Sequence, residues 1–191
     1  MLERLSDRIA NSLVLQGIIS KEDVDVYSYG LALLISFLFN SVVMLIVGIL
    51  SHRLIETLLF LAVFVLLRSF TGGYHADTFQ KCTVITFSTY GSVILLSTLN
   101  VITPVYLFAV IVGLFIIVWV APVEHPNKEI SARKKVHHKV TSLVLYIVFS
   151  VSGFLLGNFN TRYKSLIFFA LLADVVLLFI KNSKKGEVQN G

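Results

Sequence analysis

The chain has 191 residues, 56% hydrophobic and 14% charged, with a mean hydropathy of +0.84 and a formal net charge of +5. A soluble domain of this size cannot bury so much apolar surface, because apolar atoms already form more than half of an ordinary protein's exterior. The single cysteine, Cys82, excludes an internal disulfide, a CxxC redox pair and a Cys-rich zinc site. The basic residues lie scattered between apolar runs, a pattern that reports membrane topology rather than nucleic-acid binding.

The pattern predicts an all-α polytopic membrane bundle forming a single domain over residues 1–191. An interfacial segment occupies 1–26, six spans fill 27–180, and a polar, disordered tail follows over 181–191. Leu2, Leu5, Ile9, Leu13 and Gln16 form one helical stripe, with Glu3, Arg4, Asp7, Arg8 and Asn11 elsewhere. Such a helix lies in the interface, as an anchor or as a docking surface for an amphipathic partner. Glu3 and Asp7 are out of keeping with the basic head of a signal peptide. Gly17 ends the helix, and Ser20 caps a short acidic turn over Lys21-Glu22-Asp23.

The spans are expected over Tyr29–Leu50, Leu54–Leu67, Thr83–Leu99, Val105–Ala121, Val140–Gly157 and Ser165–Ile180. The second is short and gains length if Arg68 snorkels. A basic loop runs from Pro122 to Lys139, with Pro126 near its start. With the N-terminus inside, thirteen of the sixteen lysines and arginines fall on the cytoplasmic face, leaving Arg53, Arg162 and Lys164 outside. Tyr27, Tyr29, Tyr106, Trp119 and Tyr163 fall near span ends, where amphipathic rings settle.

Between the second and third spans lies the polar island Arg68-Ser-Phe-Thr-Gly-Gly-Tyr-His-Ala-Asp-Thr-Phe-Gln-Lys-Cys82. A thiolate is the attacking form of cysteine, and a neighbouring histidine can take the thiol proton. His75 precedes Cys82 by seven residues, which on one straight helix separates them by about 10.5 Å along the axis. Cooperation therefore requires a break in the helix, which Gly72 and Gly73 supply. On composition and spacing alone, a catalytic pair competes with a buried thiol and an interfacial imidazole. Asp77, Gln80 and Lys81 have ordinary interfacial roles as alternatives to orienting, oxyanion or electrostatic ones, and Arg68 either binds a carboxylate or anchors its span.

Arg68, Gly72-Gly73-Tyr74-His75-Ala76 and Cys82, followed by Ala121-Pro122-Val123-Glu124-His125-Pro126-Asn127-Lys128 after the fourth span, resemble the accessory gene regulator protein B family. The resemblance covers nearly the whole chain. It implies a membrane cysteine endopeptidase of Gram-positive bacteria that trims the C-terminal tail of a small propeptide in quorum sensing. By position it makes Cys82 the nucleophile and His75 its base, with an acyl-thioester that a cysteine or serine of the peptide then displaces to close a ring. It needs no cofactor or metal, and it suggests a homodimer. The partner implied is an amphipathic propeptide with an acidic tail, drawn by Arg68, Lys128, Arg133, Lys134 and Lys135, while Gly72, Gly73, Pro122 and Pro126 shape the site. Two other classes stay in view: a small-peptide exporter, with Asn40 and Asp174 as its thin polar route, and a scaffold without catalysis.

The remaining polar groups read mainly as structure. Asp174 lies about 10 Å from Lys181 along its span, where an ionisable group faces the bundle interior and can hydrogen-bond another span near Asn40 or orient the active site. Glu56 is expected to pair with Arg53. His137 and His138 belong to a basic interfacial segment, Glu124 and His125 to a loop shaping the substrate path, and His52 to the opposite face.

Overall fold

The computed structural model describes residues 2–72, 79–122 and 132–189, with side chains over 5–72, 81–122 and 133–180. Seven helices follow in order: α1 (Leu2–Leu15), α2 (Val24–Leu50), α3 (Leu54–Thr71), α4 (Phe79–Leu96), α5 (Thr103–Val120), α6 (Ala132–Leu156) and α7 (Thr161–Gln189). The stretches that cross a bilayer by length and composition are α2, α3, α5, α6 and the part of α7 up to Ile180. The third expected span, α4, is a shorter apolar helix over Lys81–Leu96. It stops before Leu99 because the Ser97 and Thr98 hydroxyls bond the Ile94 and Leu95 carbonyls, each at 2.7 Å, offering the backbone an alternative to another turn.

Other boundaries also shift. Helix α3 runs past Leu67 to Thr71, so its 18 residues span about 27 Å, close to the thickness of the hydrocarbon core. Helix α6 absorbs the segment Arg133–Lys139 that was expected as loop, and α7 continues through the expected tail to Gln189. Lysine and arginine are good helix formers, so a span whose backbone bonds are all internal continues into water without a break.

Before the first span, Gly17 ends α1 with φ +70°, and Ser20 precedes a 3-10 turn over Lys21–Asp23. The Ser20 hydroxyl donates to the Asp23 carboxylate at 2.7 Å, and its oxygen accepts no capping bond from a backbone N–H. Helix α1 lies on α2 through its small residues Ser6 and Ala10, both buried, while the Ser28 hydroxyl bonds the Asp7 carboxylate. Leu5 and Ile9, on the apolar stripe, remain exposed. The stripe is therefore presented outward, as an interfacial helix requires.

The core sits between α3 and α7. Phe60, Val63 and Leu67 recur at helical spacing on one side, and Ile167, Ala170, Leu171 and Leu178 answer on the other. Inside hydrocarbon each polar group needs a partner. Thr57 Oγ1 meets the Tyr90 hydroxyl at 2.7 Å, and the Tyr106 hydroxyl donates to the Ser150 carbonyl at 2.6 Å. That second bond exists because α6 has no Cβ at Gly153, where one would press on the Tyr106 hydroxyl and on Ile167. Interhelical bonds of this kind contribute about 0.6 kcal/mol each.

Contacts between helix ends define the two faces of the bundle. Phe70 of α3 packs on His138 of α6, ring centroids 5.6 Å apart, at the end where α4 also begins. At the other end the Val101 N–H donates to Ser165 Oγ at 3.3 Å. There Glu56 pairs with Arg162 at 3.7 Å rather than with Arg53. The expected neighbour loses because Arg53 stands ahead of α3 as its N-cap, whereas packing of α3 on α7 brings Arg162 to the carboxylate.

Candidate active site

The backbone break expected ahead of His75 is present at Gly72. This residue caps α3 with φ 66° and ψ 174°, a combination essentially restricted to glycine. The chain re-enters a helix at Phe79, so Arg68 and Cys82 sit on two separate helices that meet at the same end of the bundle. Gly73, His75 and Asp77 lie outside the described residues, as do Glu124, His125, Pro126 and Lys128, and so does the Gln80 side chain. The expected pairing of His75 with Cys82 therefore lies outside them too.

Cys82 is the fourth residue of α4 and is half-buried. Its carbonyl accepts the Thr86 hydroxyl at 2.8 Å. The first N–H groups of a helix have no intrahelical acceptor and carry partial positive charge, an environment suited to an anion. The thiol opens on a cleft of about 370 Å³ between α2, α3 and α4. Phe37, Phe60 and Phe64 give the cleft an apolar wall, and Arg68, Asn40 and Thr86 supply polar points along it.

Arg68 is held by two surroundings at once. Its guanidinium lies 5.4 Å from the centre of the Phe64 ring, in cation–π range. Its charge also interacts with Cys82 on one side and with Asp174 on the other. Asp174 is only 3% exposed, and neither carboxylate oxygen has a hydrogen-bond partner among the described residues. The anticipated bond to Asn40 is not made. Asn40 faces the cleft from α2, whereas Asp174 belongs to α7 and answers the charge of Arg68 on α3.

Two neighbours of the site were not recognisable from sequence. Tyr29, expected only as an interfacial ring, interacts electrostatically with Cys82. His138, expected as part of a basic strip, packs on Phe70 two residues after Arg68. Neither carries a local motif; each is brought in by packing of a distant helix. Arg133, Lys134 and Lys135 are exposed at the start of α6, at this same end. Pro122 follows α5, half-buried, through a cis peptide bond with Ala121. A second groove, of about 400 Å³ between α5, α6 and α7, is almost wholly apolar and holds no charged side chain.

The amino-acid sequence that builds this site is similar to that of known proteins. The family model for Accessory gene regulator B covers residues 6–179. The chain belongs to the accessory gene regulator B family. An AgrB-like protein of Clostridium perfringens strain SM101 is 28% identical over 143 residues, covering 71% of this chain and 67% of its own length. Another, from Lactiplantibacillus plantarum, is 24% identical over 201 residues, covering 100% of this chain and 96% of its own. No solved structure matches. Family membership supports a role in the quorum-sensing accessory gene regulator system, and with the apolar helices it fits a multi-pass membrane protein.

Proposed function

We propose that the protein is a membrane cysteine endopeptidase that trims the C-terminal tail of a small propeptide and holds the remainder as a thioester on Cys82. The observation that carries this reading is the half-buried Cys82 thiol on the first turn of α4, opening on a cleft that Arg68 shares. The Cys82 thiolate attacks the scissile carbonyl after His75 takes its proton. The tetrahedral adduct collapses, the C–N bond breaks, and His75 returns the proton to the departing amine of the tail. The acyl group stays on Sγ as a thioester, which retains most of the acyl energy of the peptide. A thiol or hydroxyl within the peptide then attacks that carbonyl, expels the Cys82 thiolate and closes a thiolactone or lactone ring. Keeping water away favours the ring over hydrolysis, and a cleft opening among apolar side chains at a membrane boundary meets that need.

The basic residues support the choice of substrate. Arg68, Arg133, Lys134 and Lys135 gather at the end of the bundle where α4 begins, and Lys128 lies between α5 and α6 in sequence, outside the described residues. In this reading that end is cytoplasmic, both termini with it, and it attracts an acidic tail. The protein works in the cell membrane as a homodimer. Co-expression with a candidate propeptide, a small amphipathic peptide with an acidic C-terminal tail, tests the proposal. Cys82→Ala and His75→Ala should each abolish tail removal while the protein stays in the membrane at normal levels. Tail removal by Cys82→Ala at the wild-type rate would refute it.

A further inference from the structure

Asn40 is the polar feature of the cleft that the chemistry above leaves unused. It stands ten residues before the end of α2, about 15 Å along the axis and so near half the thickness of a bilayer's hydrocarbon core. It is 6% exposed, and its Oδ1 has no hydrogen-bond partner among the described residues. An amide buried at that depth is normally bonded to a neighbouring helix or a ligand. Here it lines the same cleft as Arg68 and Cys82, with Phe37 and Met44 on its own helix face and Phe60 and Phe64 opposite. A continuous apolar channel thus leads from the thiol towards the bilayer centre, with one carboxamide along its wall.

A carboxamide carries one hydrogen-bond donor group and one acceptor, the same pair that a peptide unit offers, so it can satisfy a main-chain peptide group in a place without water. Charged residues do not enter such a channel, because burying an unpaired charge in apolar surroundings is prohibitive. The departing acidic tail therefore stays at the basic mouth, and the segment that enters is the one retained on Cys82. We propose that this cleft binds the acyl side of the substrate and that Asn40 anchors its main chain there. The cleft takes apolar residues on the amino side of the scissile bond, and the Asn40 carboxamide hydrogen-bonds a main-chain peptide group of that segment. This rests on the reading of Cys82 as the nucleophile.

The test uses the full-length protein in lipid nanodiscs. Because Cys82 is the only cysteine, its alkylation by N-ethylmaleimide reports occupancy of the cleft without requiring turnover. The probes are acetyl-Leu-Phe-Leu-amide, the same peptide N-methylated at every backbone nitrogen, and acetyl-Glu-Glu-Glu-amide. The apolar tripeptide should protect the wild-type thiol, and the triglutamyl peptide should not. Asn40→Leu should raise the half-protecting concentration about tenfold, the worth of one buried hydrogen bond. Its thermal midpoint should be no lower than wild type, because the substitution removes an unsatisfied buried amide. The N-methylated peptide should protect weakly and should not distinguish the two proteins. Asn40→Ser, which leaves the cleft open but removes the carboxamide, should repeat the loss if Asn40→Leu does not fold. Equal protection of wild type and variant by the apolar tripeptide, no protection of wild type, or protection by the triglutamyl peptide would overturn the proposal. A wild-type protein that cleaves propeptide with a KM that Asn40→Leu leaves unchanged defeats this inference alone. Cleavage by Cys82→Ala defeats the reading beneath it.

Discussion

Arg68→Ala should destabilise the bundle, and the loss should be recoverable. Asp174 is 3% exposed with both oxygens unbonded, and the charge that answers it is that of Arg68. The two side chains share no hydrogen bond, so removing Arg68 withdraws a longer-range attraction from a buried carboxyl, at about 2–3 kcal/mol. Asp174→Asn is not the mirror image. Arg68 lines an open cleft and keeps the Phe64 ring, so loss of its counter-charge should cost about 1 kcal/mol, as for a partly solvated pair. In Arg68→Ala/Asp174→Asn the buried carboxyl is gone, and the total loss should fall to about 1 kcal/mol, a coupling of about 2–3 kcal/mol. Reversible SDS titration in bicelles measures all four proteins. On a chain of this length Arg68→Ala should lower the midpoint in a thermal scan by on the order of 10 °C. Simple additivity of the two single losses would refute the pairing.

Two further outcomes follow from the geometry. Gly153→Ala places a methyl group against Ile167 at 3.0 Å and against the Tyr106 hydroxyl, so it should break the Tyr106–Ser150 bond and cost about 1–3 kcal/mol, read in the same titration. Reversing Arg133, Lys134 and Lys135 together to Glu should raise KM for the propeptide with little change in kcat, and the wild-type KM should rise with salt. A KM unaffected by the reversal would remove the basic strip from substrate recruitment.

Much of the architecture was legible because the hydrocarbon core imposes length and apolarity on each span. The apolar runs placed α2, α3, α5 and α6 to within a few residues at their apolar ends, and the glycine at Gly72 marked where α3 stops. Boundaries failed where composition and hydrogen bonding diverge. Polar residues such as Lys134 and Lys135 looked like loop but are strong helix formers, while Ser97 and Thr98 ended a helix that hydropathy alone would have extended. Within the site, the grouping of Arg68 and Cys82 was visible as one polar island. Asp174 was readable only as an inward-facing group open to a role at the site, and Tyr29, Asn40 and His138 were not readable as its neighbours, because they are joined to that island only by packing. Pair preference misled in the same way: Glu56 chose Arg162 over the nearer-in-sequence Arg53.

The covalent intermediate is the claim on which the rest turns. Wild-type protein mixed with a propeptide whose internal nucleophile is changed to Ala should accumulate a thioester, since ring closure is blocked. Intact mass spectrometry after rapid acid quench should show the protein heavier by the propeptide less its tail. The adduct should map to Cys82 and be released by hydroxylamine. A cleaved tail with no adduct on the protein at any quench time, or an adduct at a residue other than Cys82, would contradict the account.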